Sequence, residues 1–357
     1  MSPRANGRSI LNSDEPRPQE LKILVTGAAG FIGSHVCERL VGDGHRVWGL
    51  DNFDSFYDPR VKRSNVRHLI ASANMRLIEG DIRDSVLLDG LFSDVPFDAV
   101  VHLAARPGVG PSIEEPGLCF DVNVQGTLTI LEAMRRHHIA VLVFGSSSSV
   151  YGDSDTVPFE ESVPADRPIS PYAASKRAGE HICYTFHHLY GISTHCLRFF
   201  TVFGPRQRPD LAIHKFARLM AEKTPLPLYG DGSSSRDYTY VADTVEGVMR
   251  SMHNLIEASK TEPVFEVINL GRSDAVTLDT LVRELSDQMG IEPQIEWQPN
   301  QPGDVTTTCA SDVRAKSLLG FQPRVDLSEG LARFVDWFRR GQSGTDEPLL
   351  KPESSAT

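Results

Sequence analysis

The chain has 357 residues, 40% of them hydrophobic, and a formal net charge of −11. That length suits one large domain plus a smaller one. The acidic balance excludes a nucleic-acid binder that works through a basic field, although local arginines and helix N-termini can still hold an anionic ligand. No apolar run reaches the length of a membrane span, so no membrane partner is expected.

Residues 1–20, with Arg4, Arg8, Asp14 and Glu15, lack the apolar core of a signal peptide and read as a disordered extension. Residues 342–357 read as an equally loose tail. Cys37, Cys119, Cys183, Cys196 and Cys309 are scattered without metal-like spacing. Buried, reduced thiols in a cytoplasmic protein are the expectation, with no metal.

The first element is a β-rich run at 21–26, ending in the turn Gly27, Gly30, Gly33. A helical pattern follows, with Ile32, Val36 and Leu40 on one face. Residues 46–50 read as a second strand, terminated by Asp51. Strand, glycine turn, helix, strand and acid in this order predict a dinucleotide site. The glycines let backbone approach a pyrophosphate, and the helix N-terminus offers amide donors at Phe31 and Ile32. Asp51 lies 18 residues past Gly33, where a carboxylate accepts from an adenosine ribose and disfavours a 2′-phosphate. NAD is therefore expected rather than NADP.

The alternation continues with strands at 75–80, 97–105 and 141–145 and helices at 85–92 and 123–138. The second of these strands runs through Leu103 into the small residues Ala104 and Ala105, which leave room for a ligand at a sheet crevice. The third ends in Ser146, Ser147, Ser148 and Ser149. A helix at 171–190 and a strand at 193–200 complete the regular part. The expected fold is α/β, a Rossmann-type doubly wound parallel sheet over 21–200, with a smaller mixed α/β unit over 201–341. In the second half, strands at 226–232 and 265–271 and helices at 242–254, 278–290, 312–319 and 327–340 lack that regularity.

Tyr172 and Lys176 stand four apart on the 171–190 helix, on one face. An ammonium beside a phenol favours the phenolate and is expected to lower its pKa, fitting it for acid/base work on a sugar hydroxyl. The spacing alone is common on ordinary helices.

Together with TGAAGFIGSH, LDN, GDIRD, HLAA, NVQGT, SSSSVYG, SPYAASK, LRFFTVFGPRQRPD, GDGSSSRDYTYVAD and QPGDV, it resembles the extended short-chain dehydrogenases/reductases. Within them the chain is similar to the nucleotide-sugar epimerases, over about residues 22–340. The resemblance implies an NAD-dependent 4-epimerase of a UDP-sugar, working through a transient 4-keto sugar. It makes Tyr172, Lys176 and Ser147 catalytic, Ser147 standing the family's 25 residues before the tyrosine. It adds Asn52, Asp81, Ile82, Asn123 and Phe199 to the cofactor site, although Asn123 also reads as a helix cap. It implies a homodimer. Thr201, the Arg208-Pro209-Asp210 segment and the QPGDV turn lean toward UDP-glucuronate 4-epimerases, with Arg208 on the sugar carboxylate. Ser148, Arg236 and Asp304 are the other expected substrate contacts, the last two at the diphosphate and the uridine ribose. The subgroup often has Pro-Trp-Gly where this chain has Pro205, Arg206 and Gln207. UDP-glucose/UDP-galactose and UDP-N-acetylhexosamine remain alternative substrates. A dehydratase would carry an Asp-Glu pair at Ser148 and Ser149. A non-catalytic NAD-binding regulator would lose the tyrosine or the lysine.

Overall fold

The computed structural model describes residues 20–154, 156–299 and 305–342. The two expected loose termini and Asp304 lie outside them, apart from Glu20 and Gln342. In the first half, strands β1 (Lys22–Thr26), β2 (Arg46–Asp51), β3 (Met75–Glu79), β4 (Ala99–His102), β5 (Val141–Ser147) and β6 (Ser193–Phe199) alternate with helices. These are α1 (Phe31–Gly42), α2 (Pro59–Ile70), α3 (Ser85–Asp94), α4 (Val109–Glu114), α5 (Pro116–Phe120), α6 (Gly126–Arg136) and α7 (Pro171–Tyr190). The second half contributes β7 (Thr201–Phe203), α8 (Ala212–Ala221), β8 (Leu226–Tyr229), β9 (Ser235–Tyr240) and α9 (Val241–Ala258). It closes with β10 (Phe265–Leu270), β11 (Ala275–Thr277), α10 (Leu278–Met289), β12 (Ile295–Gln298), α11 (Val313–Leu319) and α12 (Leu327–Gln342).

The large sheet has the order β10-β6-β5-β4-β1-β2-β3, parallel at every pairing. Its central strands β1, β4 and β5 are largely apolar on both faces because helices cover both. Successive residues feed opposite cores: Ile23 and Val25 join the α1 and α9 side, and Leu24 joins the α3, α6 and α7 side. The sequence order reverses between β1 and β4, and the crevice beyond these strand ends is where open α/β sheets bind ligands.

A three-stranded sheet, β11-β9-β7, and a parallel pair, β12-β8, form the smaller part. Residues 201–341 do not form this part by themselves, since β10 returns to the large sheet beside β6. One apolar core runs from Leu21 through Phe203 to Phe338, joining both parts. The helix expected at 123–138 starts earlier and is irregular, a π turn at Asp121–Gln125 leading into α6. No described helix is long and apolar enough to cross a membrane.

Candidate active site

A cleft opens beyond the C-terminal ends of β1, β2, β4 and β5. Its floor is the glycine turn. Gly27 has φ +69°, and a Cβ there would lie 2.8 Å from the backbone nitrogen of Ala104. A Cβ on Gly33 would lie 2.0 Å from the Gly27 carbonyl oxygen, so only glycine lets helix and turn pack this closely. Gly30 begins α1 with no side-chain cap, and there is no acid in the first turn. Phe31, Ile32 and Gly33 of that turn line the cleft, and the N–H groups of an uncapped first turn suit an anion.

Asp51 is buried at the end of β2, where its carboxylate accepts from Ala29 N (3.0 Å) and Phe53 N (2.8 Å). Burial pushes its pKa up, and the Lys62 charge opposes this. Asn52 donates to Asp81 (3.0 Å). The bonds from Arg83 hold the Asp81 carboxyl down at about 2. Asp51, Asn52, Asp81 and Ile82 all line one end of the cleft; Leu103, Ala104, Ala105 and Phe199 line the rest. The uncapped turn, the glycine cradle and the acid at the strand end suit a dinucleotide's pyrophosphate and ribose.

Helix α7 carries Tyr172 and Lys176 into the same cleft. It starts there because the Ser170 hydroxyl caps Ala173 N (3.2 Å) with Pro171 in the first turn, and Gly191, at φ +70°, ends it. Lys176 Nζ donates to the Gly145 carbonyl (2.7 Å) and stands 6.0 Å from the Tyr172 ring. Burial lowers its pKa to about 8. The Tyr172 pKa is raised, contrary to the expected lowering by Lys176. Burial is the larger effect, opposed by a hydrogen bond with Ser147 and by the Arg208 charge. The Ser147 oxygen accepts from Ser149 N (3.2 Å) and Ser149 Oγ (3.0 Å), which leaves its own proton for Tyr172.

Arg208 reaches the cleft from the loop after β7. Asp210 takes its Nε–H (2.9 Å) and one Nη2–H (2.8 Å). The Nη1 edge is left for a ligand. The residues where this chain departs from the Pro-Trp-Gly pattern anchor that loop to α1. Arg206 pairs with Glu38 and donates to Ser34 Oγ (3.2 Å), and His35 bonds the Pro205 carbonyl (2.9 Å).

Other expected residues do not line this cleft directly. Asn123 is no helix cap: within the π turn its amide bonds the Arg106 N–H (2.7 Å), the Arg106 carbonyl (3.1 Å) and Ser175 Oγ (2.8 Å). It fixes the backbone that follows β4. Ser148 is half-buried on a short 3₁₀ turn, Ser148–Tyr151. Thr201 on β7 pairs with Tyr238 on β9, and Arg236 on β9 donates to the Ser235 (2.9 Å) and Thr306 (3.4 Å) carbonyls.

The sequence reading missed the wall made by Asp54, Phe56, Tyr57, Lys62 and Arg106. Two guanidiniums approach the Phe56 ring, Arg106 at 4.8 Å and Arg208 at 5.6 Å. Lys62 donates to the Asp54 carbonyl (2.9 Å). The adjacent aromatics Phe56 and Tyr57 in an otherwise polar loop were the available signal.

Residues 24–334 match the family model described as GDP-mannose 4,6 dehydratase. The chain belongs to the NAD-dependent epimerase/dehydratase family of extended short-chain dehydrogenases/reductases. Among the family's curated members, UDP-glucuronate 4-epimerase of Thermodesulfobacterium geofontis is 38% identical over 315 residues, 88% of this chain and 95% of that one. Among its solved structures, UDP-glucuronic acid 4-epimerase of Bacillus cereus, in complex with UDP-glucuronic acid and NAD, superposes with a TM-score of 0.83 at 35% identity. That match covers 90% of this chain and 99% of the other. DesIV, a dTDP-glucose 4,6-dehydratase of Streptomyces venezuelae with NAD and TYD bound, gives 0.83 at 30% identity, covering 92% and 100%. Family membership thus spans two reactions, and the choice between them rests on site residues.

Proposed function

We propose that the protein epimerises UDP-glucuronate at C4, giving UDP-galacturonate, with NAD as cofactor. The observation that carries the sugar assignment is Arg208, which enters the cleft beside Tyr172 with an N–H edge unspent. A guanidinium there binds a C6 carboxylate through paired, charge-assisted hydrogen bonds and gains little from a CH₂OH group.

Gly27, Gly30 and the first turn of α1 would hold the NAD pyrophosphate. Asp51 and Asn52 would hold the adenosine ribose, with Asp81 and Ile82 beside them. Lys176 and Tyr172 would hold the nicotinamide ribose, with Phe199 and the segment Leu103 to Ala105 along the wall. When bound, NAD supplies the acceptor, and then the donor, of the C4 hydride. Tyr172 takes the C4 hydroxyl proton in one direction and returns it on the sugar's other face. In its protonated form, which burial favours, it is ready for the return step. Ser147 and Arg208 favour the phenolate needed for the first. The 4-keto uronate is a β-keto acid, and Arg208 and Thr201 holding its carboxylate in place would oppose loss of CO₂. Arg236 and Asp304 are proposed for the diphosphate and uridine ribose.

The matching dehydratases do not favour elimination here, because Ser148 and Ser149 offer hydroxyls where that chemistry needs acids. A homodimer in a cytoplasmic setting completes the proposal. Tyr184, Leu189 and Tyr190 expose apolar surface on α7, beside α6, which supports pairing through these helices; light scattering measures it. The free cysteines suit a reducing compartment.

Incubation with UDP-glucuronate, UDP-glucose and UDP-N-acetylglucosamine in separate reactions, with products identified by NMR, tests the reading. UDP-galacturonate from the first is expected, with a kcat/KM well above that for either neutral sugar. Turnover of the neutral sugars only would reject the sugar assignment, and a 4-keto-6-deoxy product would reject epimerisation.

A further inference from the structure

One turn beyond Lys176 on α7 lies an acid that the mechanism above leaves unused. Tyr172, Lys176 and Glu180 are spaced by four, so all three present the same helix face. That face meets the end of β5 in three successive bonds. Tyr172 bonds Ser147, Lys176 donates to the Gly145 carbonyl (2.7 Å), and Ser146 Oγ donates to Glu180 Oε1 (2.6 Å). Glu180 is 1% exposed and accepts three further bonds. They come from Arg198 Nε (2.8 Å), Arg198 Nη2 (2.8 Å) and Arg177 Nη1 (2.7 Å).

Arg198 is the β6 residue in register with Ser146. Its guanidinium lies 4.6 Å over the Tyr151 ring, and the Tyr151 hydroxyl donates to Asn269 on β10 (2.8 Å). One carboxylate therefore ties α7 directly to two adjacent strands, β5 and β6, and through Arg198 and Tyr151 to β10, at the level of the reacting groups. Buried ion pairs stabilise weakly against apolar residues of the same volume, so stability alone is a poor reason for this cluster. Orientation is a better one. Four donors converging on one carboxylate fix the Ser146 rotamer, and with it the strand end that carries Ser147 and Gly145.

We propose that Glu180 is a positioning residue for the reaction: it holds the end of β5 against α7, so that Ser147 and the Gly145 carbonyl meet Tyr172 and Lys176. This inference rests on the proposed roles of Tyr172, Lys176 and Ser147. Its charge has a second consequence. Lys176 is faced by the thiols of Cys119 from α5 and Cys183 from α7, by the neutral His102 from β4 and the Phe144 ring from β5, and by Tyr172 and Glu180. Glu180 is the anion among them. Burial is the largest single effect and works against its charge, but the bonds from Arg198, Ser146 and Arg177 and the Arg198 charge together keep its pKa below the usual range. It supports the protonated lysine against the lowering that burial causes.

Glu180→Gln keeps the shape and removes the charge. The expected result is a kcat lowered about tenfold to a hundredfold, the scale of a small misplacement of reacting groups. KM for the nucleotide sugar and the bound cofactor content stay unchanged. The high-pH fall in kcat, where Lys176 loses its proton, moves to lower pH. A kcat within twofold of the parent, or a lowered kcat with the high-pH fall unmoved, overturns the proposal. If this variant does not fold, Ser146→Ala decides, since it removes one bond and leaves the Arg198–Glu180 pair. A several-fold loss of kcat at unchanged KM is expected, and parental kcat overturns the proposal. Tyr172→Phe separates the two levels of the argument. Activity in that variant rejects the underlying reading, whereas its inactivity beside a fully active Glu180→Gln rejects the positioning role alone.

Discussion

Tyr172→Phe is expected to lower kcat on the order of a thousandfold while the protein keeps its fold and its cofactor. The phenol ring is half-buried in the cleft wall, and removal of one oxygen leaves its packing intact. What disappears is the group that takes and returns the C4 proton, and positioned proton transfer contributes about 10² to 10⁴ in rate. Ser147 remains, but its oxygen is already committed to the Ser149 amide and hydroxyl, which leaves it a donor and a poor base. Lys176 is bonded to the Gly145 carbonyl and stands back from the ring. Neither neighbour replaces the phenol. Parental turnover in this variant would remove Tyr172 from the chemistry.

Arg208→Met carries the second large effect, and it is selective. Its kcat/KM for UDP-glucuronate should fall roughly a hundredfold, the equivalent of one or two charge-assisted hydrogen bonds at about 1.5–3 kcal/mol each. UDP-glucose, with no carboxylate to lose, should change far less, so the ratio of the two substrates is the measurement. Methionine fills the space beside Phe56 without the charge, which separates the clamp from the wall that Arg208 shares with Arg106. Full activity on the uronate would reject the clamp.

The large sheet was legible in the sequence because its central strands β1, β4 and β5 are largely apolar runs that alternate with helical patterns, and the glycine turn and Asp51 marked the expected ligand crevice. Tyr172 and Lys176 were legible as a pair by spacing. The raised pKa of Tyr172 was not, because burial is set by elements far away in the chain. Helix α2 escaped notice because two of its buried positions are Lys62 and Asn65, which are satisfied by the Asp54 (2.9 Å) and Ala29 (3.0 Å) carbonyls. A helix whose inner face is partly polar hides its period, and the cleft residues Phe56, Tyr57 and Lys62 were hidden with it. Glu180 gave no signal in the sequence, because its partners, Ser146 and Arg198, come from two strands. The return of β10 to the large sheet had no local signal, since a strand's period does not name its neighbour.

The central claim is that hydride leaves C4 and returns to C4 on the same sugar. UDP-glucuronate carrying deuterium at C4, turned over in ordinary water, tests it most directly. The prediction is UDP-galacturonate that retains the deuterium at C4, read by NMR and mass spectrometry. Product with the label exchanged for solvent hydrogen would contradict it.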